Sequence, residues 1–130
     1  MNVHDLLKAV CISSANDAMV ALAERISGSV SEFVSKMNEK SKELNLVNTN
    51  FENTTGLHDE NHYSCAKDMA LIAKKLIEVG KDDLLSITST YDAYIREDTN
   101  PFWLVNTNKL VKHVEGVDGL KTGFTQEALS

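Results

Sequence analysis

Two short clusters, near opposite ends of the chain, carry side chains that could act together. Ser14-Ala15-Asn16 offers a hydroxyl and an amide one residue apart. Lys121-Thr122-Gly123 offers a cation, a hydroxyl and a position without a side chain, flanked by Leu120 and Phe124. A cation beside a hydroxyl can hold a carboxylate by charge-assisted hydrogen bonds. Gly123 lets a ligand lie close against the backbone. The stretch from Leu120 to Thr125 reads as a short strand, with Lys121 and Gly123 on one face and Thr122 on the other. Either tripeptide alone is commonplace, because helix caps supply Ser-x-Asn and Gly-rich turns supply Lys-Thr-Gly. The order of the two, with mostly helical chain between them, is the informative feature.

Two further clusters need weighing. Ser64-Cys65-Ala66-Lys67 is the one Ser-x-x-Lys in the sequence, and a serine at a helix start with a lysine one turn on is a known nucleophile geometry. It reads equally well as a plain helix N-cap. His58 and His62 are four residues apart, with Asp59 and Asp68 near in sequence. Zinc would need both imidazoles on a helix or a shaped loop, plus a third ligand. Gly56, Asn61 and Tyr63 argue for loop, and the histidines read as its polar packing.

The elements that must position these groups are mainly helices. Leu6, Leu7 and Val10 make one apolar stripe, which stops at Ser13 to Asp17, residues that favour caps and turns. Ala18, Met19, Leu22 and Ile26 make a second, closed by Gly28 as C-cap. Ser29-Val30-Ser31-Glu32 has capping-box spacing before a third stripe of Val30, Phe33, Val34, Met37 and Leu44. The charged residues Lys36, Glu39, Lys40, Lys42 and Glu43 form its solvated face. From Asn45 to Tyr63 the chain is turn-rich and long for a loop, a class that is often functional; Phe51 and Leu57 should pin it inward. A fourth helix is expected from an N-cap at Ser64, with Met69, Ile72, Ala73, Leu76 and Ile77 buried and Gly80 closing it. Asp82 or Asp83 could start a further short helix. Tyr91 to Ile95 alternates like a strand, and Phe102 to Val105 is a short apolar run after Asn100-Pro101. Ser14-Ala15-Asn16 thus falls on a turn between two packed helices, which can aim a hydroxyl and an amide at one point.

The 130 residues and their apolar content suit one soluble domain. A formal net charge of -6 with no Lys/Arg cluster argues against nucleic acid. No apolar run is long enough to span a membrane, and Met1 to Asp5 is not a signal peptide. Cys11 and Cys65, the only cysteines, follow no metal spacing and read as free thiols rather than a disulfide framework.

Several longer stretches resemble one family. These are Asp5-Leu6-Leu7-Lys8-Ala9-Val10, Ser14-Ala15-Asn16-Asp17-Ala18, Asn50-Phe51, Thr55-Gly56-Leu57-His58, His62-Tyr63-Ser64, Lys67-Asp68-Met69-Ala70 and Gly116 to Gly123. Together they are similar to the serine-type D-alanyl-D-alanine carboxypeptidases, the low-molecular-mass penicillin-binding proteins of bacterial cell-wall metabolism. Those enzymes use Ser-x-x-Lys, Ser-x-Asn and Lys-Thr-Gly in that order.

The resemblance implies roles residue by residue. Ser14 would relay a proton to the leaving amine or β-lactam nitrogen. Asn16 would hold a substrate carbonyl and orient the catalytic lysine. Lys121 would supply positive charge to the relay and to the terminal carboxylate, which Thr122 would hydrogen-bond. The backbone N–H of Phe124 would be one oxyanion-hole donor, behind the approach opened by Gly123. The partners implied are a peptidoglycan stem peptide ending in D-Ala-D-Ala and β-lactams, in an extracytoplasmic, envelope-associated protein. No cofactor or metal is implied.

One departure from the family pattern matters. Its Ser-x-x-Lys precedes Ser-x-Asn, whereas Ser64 lies between the other motifs, so Ser64 is set aside as nucleophile. The expectation is an α+β, mainly helical fold: residues 1–130 as a single partial domain, the helical subdomain of a β-lactamase/transpeptidase-like fold with most of the central sheet missing. Two consequences are expected. The chain alone should resist acylation by penicillin for want of the attacking serine, and the unpaired edge of the Leu120–Thr125 strand should favour a homodimer. The alternatives are a serine β-lactamase-like enzyme of the same fold and a non-catalytic helical binding module. The first usually carries Ser-Asp-Asn and needs a carboxylate to activate the deacylating water, and no clear candidate for it is found.

Overall fold

A computed structural model describes residues 1–127. The helices begin and end where side chains can satisfy their free backbone groups. Helix α1, Val3–Ser13, opens at Asn2, whose side chain accepts from the Asp5 N–H at 2.7 Å. It closes at Ser14, which takes a left-handed conformation with φ of 60°. Helix α2, Asn16–Ser27, follows at once and ends at Gly28 (φ 83°), a conformation that suits a residue without Cβ. Helix α3, Val30–Glu43, starts at Ser29, whose hydroxyl accepts from the Glu32 N–H.

The fourth helix departs from the expected boundaries. Helix α4 runs Ala66–Thr88 with Cys65 as N-cap, so Ser64 lies just outside it. The expected break is present, but it lies at Lys81 (φ 45°, ψ -136°) rather than closing at Gly80. A Cβ on Gly80 would stand 2.5 Å from the Leu84 Cβ, so the kink needs a glycine there. The stripe expected to be buried on α4 is also partly open, with Met69, Leu76 and Ile77 each more than a third exposed. Period 3.6 identifies a face; only packing decides whether another element covers it.

Strands β1, Asp92–Ile95, and β2, Phe102–Val105, form an antiparallel hairpin in which Ala93 pairs with Leu104 and Ile95 with Phe102. A single turn, α5, Leu110–His113, follows and was not expected. The expected strand from Leu120 to Thr125 is absent; this stretch is irregular and forms no strand among the described residues. A strand exists only as part of a backbone ladder, and the one ladder assigned among the described strands joins β1 to β2.

The core sits around α1, which packs against α2 on one side and the hairpin on another. Ala9, Ile12, Ala18, Ile95 and Leu104 form one buried cluster, with Leu6, Val10, Ala15, Ile87 and Ala93 packed on it. Thr107 N–H donates to the Ile12 carbonyl at 3.0 Å, tying the end of β2 to the end of α1. Buried Asn106 spans the same corner, its amide donating to the carbonyls of Thr88 and Thr90. That corner holds the Ser14 turn.

Candidate active site

The α1–α2 turn is rigid for local reasons. The Ser14 N–H donates to the Val10 carbonyl and the Ala15 N–H to the Ala9 carbonyl, at 3.2 and 3.1 Å. Both bonds cap α1 while Ala15 already serves as the N-cap of α2. Ser14 is half-buried and Asn16, the first residue of α2, is exposed.

The stretch carrying Lys121 is held by side chains that no sequence motif singles out. Thr88 Oγ1 donates to the Asp118 carbonyl at 2.6 Å. Asn108 Nδ2 donates to the Gly119 carbonyl at 3.3 Å. The hydroxyls of Thr107 and Thr122 share a hydrogen bond at 2.6 Å. Gly119 has φ of 150°, and a Cβ there would come within 2.7 Å of Thr88 Oγ1. The glycine therefore permits the close approach. Gly123 differs: a Cβ on it would meet no atom within 4 Å. The described packing does not require a glycine at 123, which leaves space above the backbone for a ligand.

Ser14, Asn16, Lys121, Thr122, Gly123 and Phe124 all line one cleft of about 950 Å³. Groups more than one hundred residues apart in sequence are thereby brought together. Much of the remaining lining comes from the long loop, at Asn53 to His58 and at His62, with Ser64 and the apolar side chains of Met19, Met37, Phe51 and Met69. Two smaller cavities, of about 310 and 480 Å³, contain none of the six.

The loop keeps its shape through buried or backbone-directed polar groups. Asn38 on α3 both accepts from and donates to the Phe51 backbone, at 2.9 and 2.8 Å. Asn50 and Tyr63 form an isolated antiparallel bridge. The Asp68 carboxylate, 1 % exposed, accepts from the Asn48 N–H and the Thr49 hydroxyl. None of these contacts follows from periodicity, although Asn and Asp at turn-rich positions are the residues that make them.

Electrostatics bears on one of the six groups. Partial burial pulls the Lys121 pKa below that of an ordinary lysine, and its interaction with Cys11 opposes that shift. Burial pushes the Cys11 thiol up, and the positive charge of Lys121 partly offsets it. The Lys121 ammonium donates to the Thr122 carbonyl at 2.7 Å.

The remaining motifs do not assemble a site of their own. Ser64 precedes the N-cap of α4, and its hydroxyl bonds to Thr49, not to Lys67. His62 Nδ1 accepts from the Glu52 N–H and its ring meets Phe51 edge-on, as loop packing. No three or more His, Cys, Asp or Glu side chains gather into a metal-binding group among the described residues. Cys11 and Cys65 are free thiols.

Helices gathered around a small hairpin, with a cleft of mixed polar and apolar lining at the helical corner, match the fold of penicillin-binding proteins. The ampicillin-bound Penicillin-Binding Protein D2 of Listeria monocytogenes superposes with a TM-score of 0.85 at 35% identity, over 97% of this chain and 51% of that one. Penicillin binding protein 5 of Haemophilus influenzae superposes with a TM-score of 0.84 at 40% identity, over 95% of this chain and 35% of that one. The family model for D-alanyl-D-alanine carboxypeptidase matches residues 1–130, and the chain belongs to that family. D-alanyl-D-alanine carboxypeptidase DacF of Bacillus subtilis is 56% identical over 129 residues, 98% of this chain and 33% of the relative. DacA of Haemophilus influenzae is 40% identical over 131 residues, 98% of this chain and 32% of the relative. The chain thus spans about a third of the length of these relatives.

Proposed function

We propose that the 130 residues are part of one domain of a serine-type D-alanyl-D-alanine carboxypeptidase, acting outside the cytoplasm on peptidoglycan stem peptides. The observation that carries this is the convergence of Ser14, Asn16 and the Lys121–Phe124 stretch on one cleft. Lys121 and Thr122 hold the terminal carboxylate of the peptide. Asn16 holds a carbonyl on the acyl side. Gly123 lets the scissile region lie against the backbone, where the Phe124 N–H stabilises the oxyanion. Ser14 passes a proton to the leaving D-alanine. The attacking serine comes from residues outside these 130, forms an acyl-enzyme and is freed by water. A β-lactam occupies the same cleft and acylates the same serine.

The test uses the whole protein that contains these residues. Lys121→Ala should lower kcat/KM for a D-Ala-D-Ala peptide by about a hundredfold, because a preorganised electrostatic contact to the reacting complex is lost. It should slow acylation by penicillin in parallel. Unchanged rates for both would remove the support for this reading.

A further inference from the structure

We propose that Ser64 is a peptide-binding residue of the cleft, presenting an oxygen that can only accept, and that it binds an N–H group of the peptide held there. This rests on the reading under Proposed function and adds a contact to it. The direction of each hydrogen bond follows from counting protons. The Asp68 carboxylate has only lone pairs, so Thr49 Oγ1, 2.9 Å away, donates to it. Thr49 has one hydroxyl proton and has thereby used it. The Ser64 hydroxyl lies 2.9 Å from the same Thr49 oxygen, so Ser64 must donate to Thr49. What Ser64 turns toward the cleft is then its lone pairs alone.

Three observations suit this arrangement to a ligand. Ser64 is exposed and lines the same cleft as Ser14, Asn16 and Lys121. The chain ends on a buried carboxylate that also accepts the Asn48 N–H at 2.8 Å. Hydrogen bonds in series polarise one another, so a negative terminus makes the Ser64 oxygen a better acceptor. Lys121, the Asn16 amide and the Phe124 N–H can all donate, and Ser64 adds an oxygen on the cleft wall whose own proton is already engaged. A peptide carries the complement either as a main-chain amide N–H or as a side-chain ammonium.

The experiment uses the whole protein that contains these residues, with its attacking serine changed to alanine and labelled with nitrogen-15, and titrates it with three peptides: N-acetyl-lysyl-D-alanyl-D-alanine, the same peptide with alanine for lysine, and the same peptide N-methylated at the first D-alanine. The Gly123 amide reports on the carboxylate end. For the lysyl peptide, Ser64→Ala should weaken binding about tenfold, as expected for one charge-assisted hydrogen bond. Ser64→Thr should restore it. Thr49→Val keeps the Ser64 oxygen while cutting its tie, and should lose less than Ser64→Ala; a purely structural role for the 49–64 bond predicts equal losses. The peptide that binds wild-type and Ser64→Ala chains equally identifies which N–H is bound. Equal affinity of wild type and Ser64→Ala for all three, with Gly123 responding, overturns the Ser64 proposal alone. No response at Gly123 to any peptide overturns the carboxylate reading and this proposal with it.

Discussion

Lys121 and Cys11 perturb each other, and the signs of their shifts make a pH prediction. The native lysine gives up its proton more readily than the unfolded one, whose pKa is near 10.5. Between the depressed native value and 10.5 the unfolded chain binds more protons, so this group makes stability rise with pH through that window. Cys11 acts in the opposite sense. Its native thiol holds its proton beyond the ordinary 9.0, so its contribution to stability falls as pH climbs past 9.0. The thiolate is the nucleophile, so Cys11 should alkylate more slowly than a free cysteine at pH 9.0. Lys121→Gln, made with Cys65→Ser so that one thiol is read, removes the offsetting charge and should slow alkylation further. Mass spectrometry of iodoacetamide-treated protein checks this; a faster rate in the Lys121 variant would contradict the electrostatic account.

At the scale of elements, two tethers shape the cleft, and each can be cut singly. Asp68 lies in the first turn of α4, where a carboxylate also suits the helix dipole. Asp68→Ala would leave the Asn48 N–H and the Thr49 hydroxyl without their shared acceptor, at a cost of about 2 kcal/mol. Denaturant melts should show the loss, and proteolysis between Asn45 and Tyr63 should speed up. Gly119→Ala tests the other wall. The new Cβ would press on Thr88 at a positive φ, costing about 1–3 kcal/mol of overpacking. The Thr88–Asp118 and Asn108–Gly119 bonds should weaken together, visible as faster amide exchange across Leu120 to Thr125. Gly123→Ala meets no such obstacle and should leave stability unchanged, which separates the two glycines.

For the molecule as a whole, the question is how much of it works alone. The chain by itself should gain no covalent adduct after incubation with penicillin, as read by intact mass. An adduct on Ser64 would reverse the assignment of the nucleophile. The case for self-association moves from a strand edge, absent between 120 and 125, to the apolar side chains left open on α4. Met69, Leu71, Leu76, Ile77 and Val79 are between 37% and 71% exposed, and exposed apolar groups of this kind favour association. Sedimentation should show mass above 14.4 kDa that falls when Leu76 and Ile77 are both changed to Ser. Among the described residues no helix is long and apolar enough to cross a membrane.

The helices of this chain were legible before any coordinates. Caps such as Ser29 and Gly28, and stripes such as Leu6 and Val10, are local features, and local sterics and hydrogen bonds decide them. The family was legible too, because its motifs are strings of adjacent residues. Three things came only from the tertiary structure. The Leu120–Thr125 stretch is not a strand, because a ladder needs a neighbour that sequence spacing does not reveal. Ile12 and Asp68 are the largest fully buried side chains among the described residues, while Leu76 and Ile77 on an equally good stripe stay open, because burial depends on what packs opposite. The direction of the Ser64–Thr49–Asp68 bonds emerges only when residues 15 and 19 positions apart meet, since a hydroxyl has no fixed polarity until its partner is known.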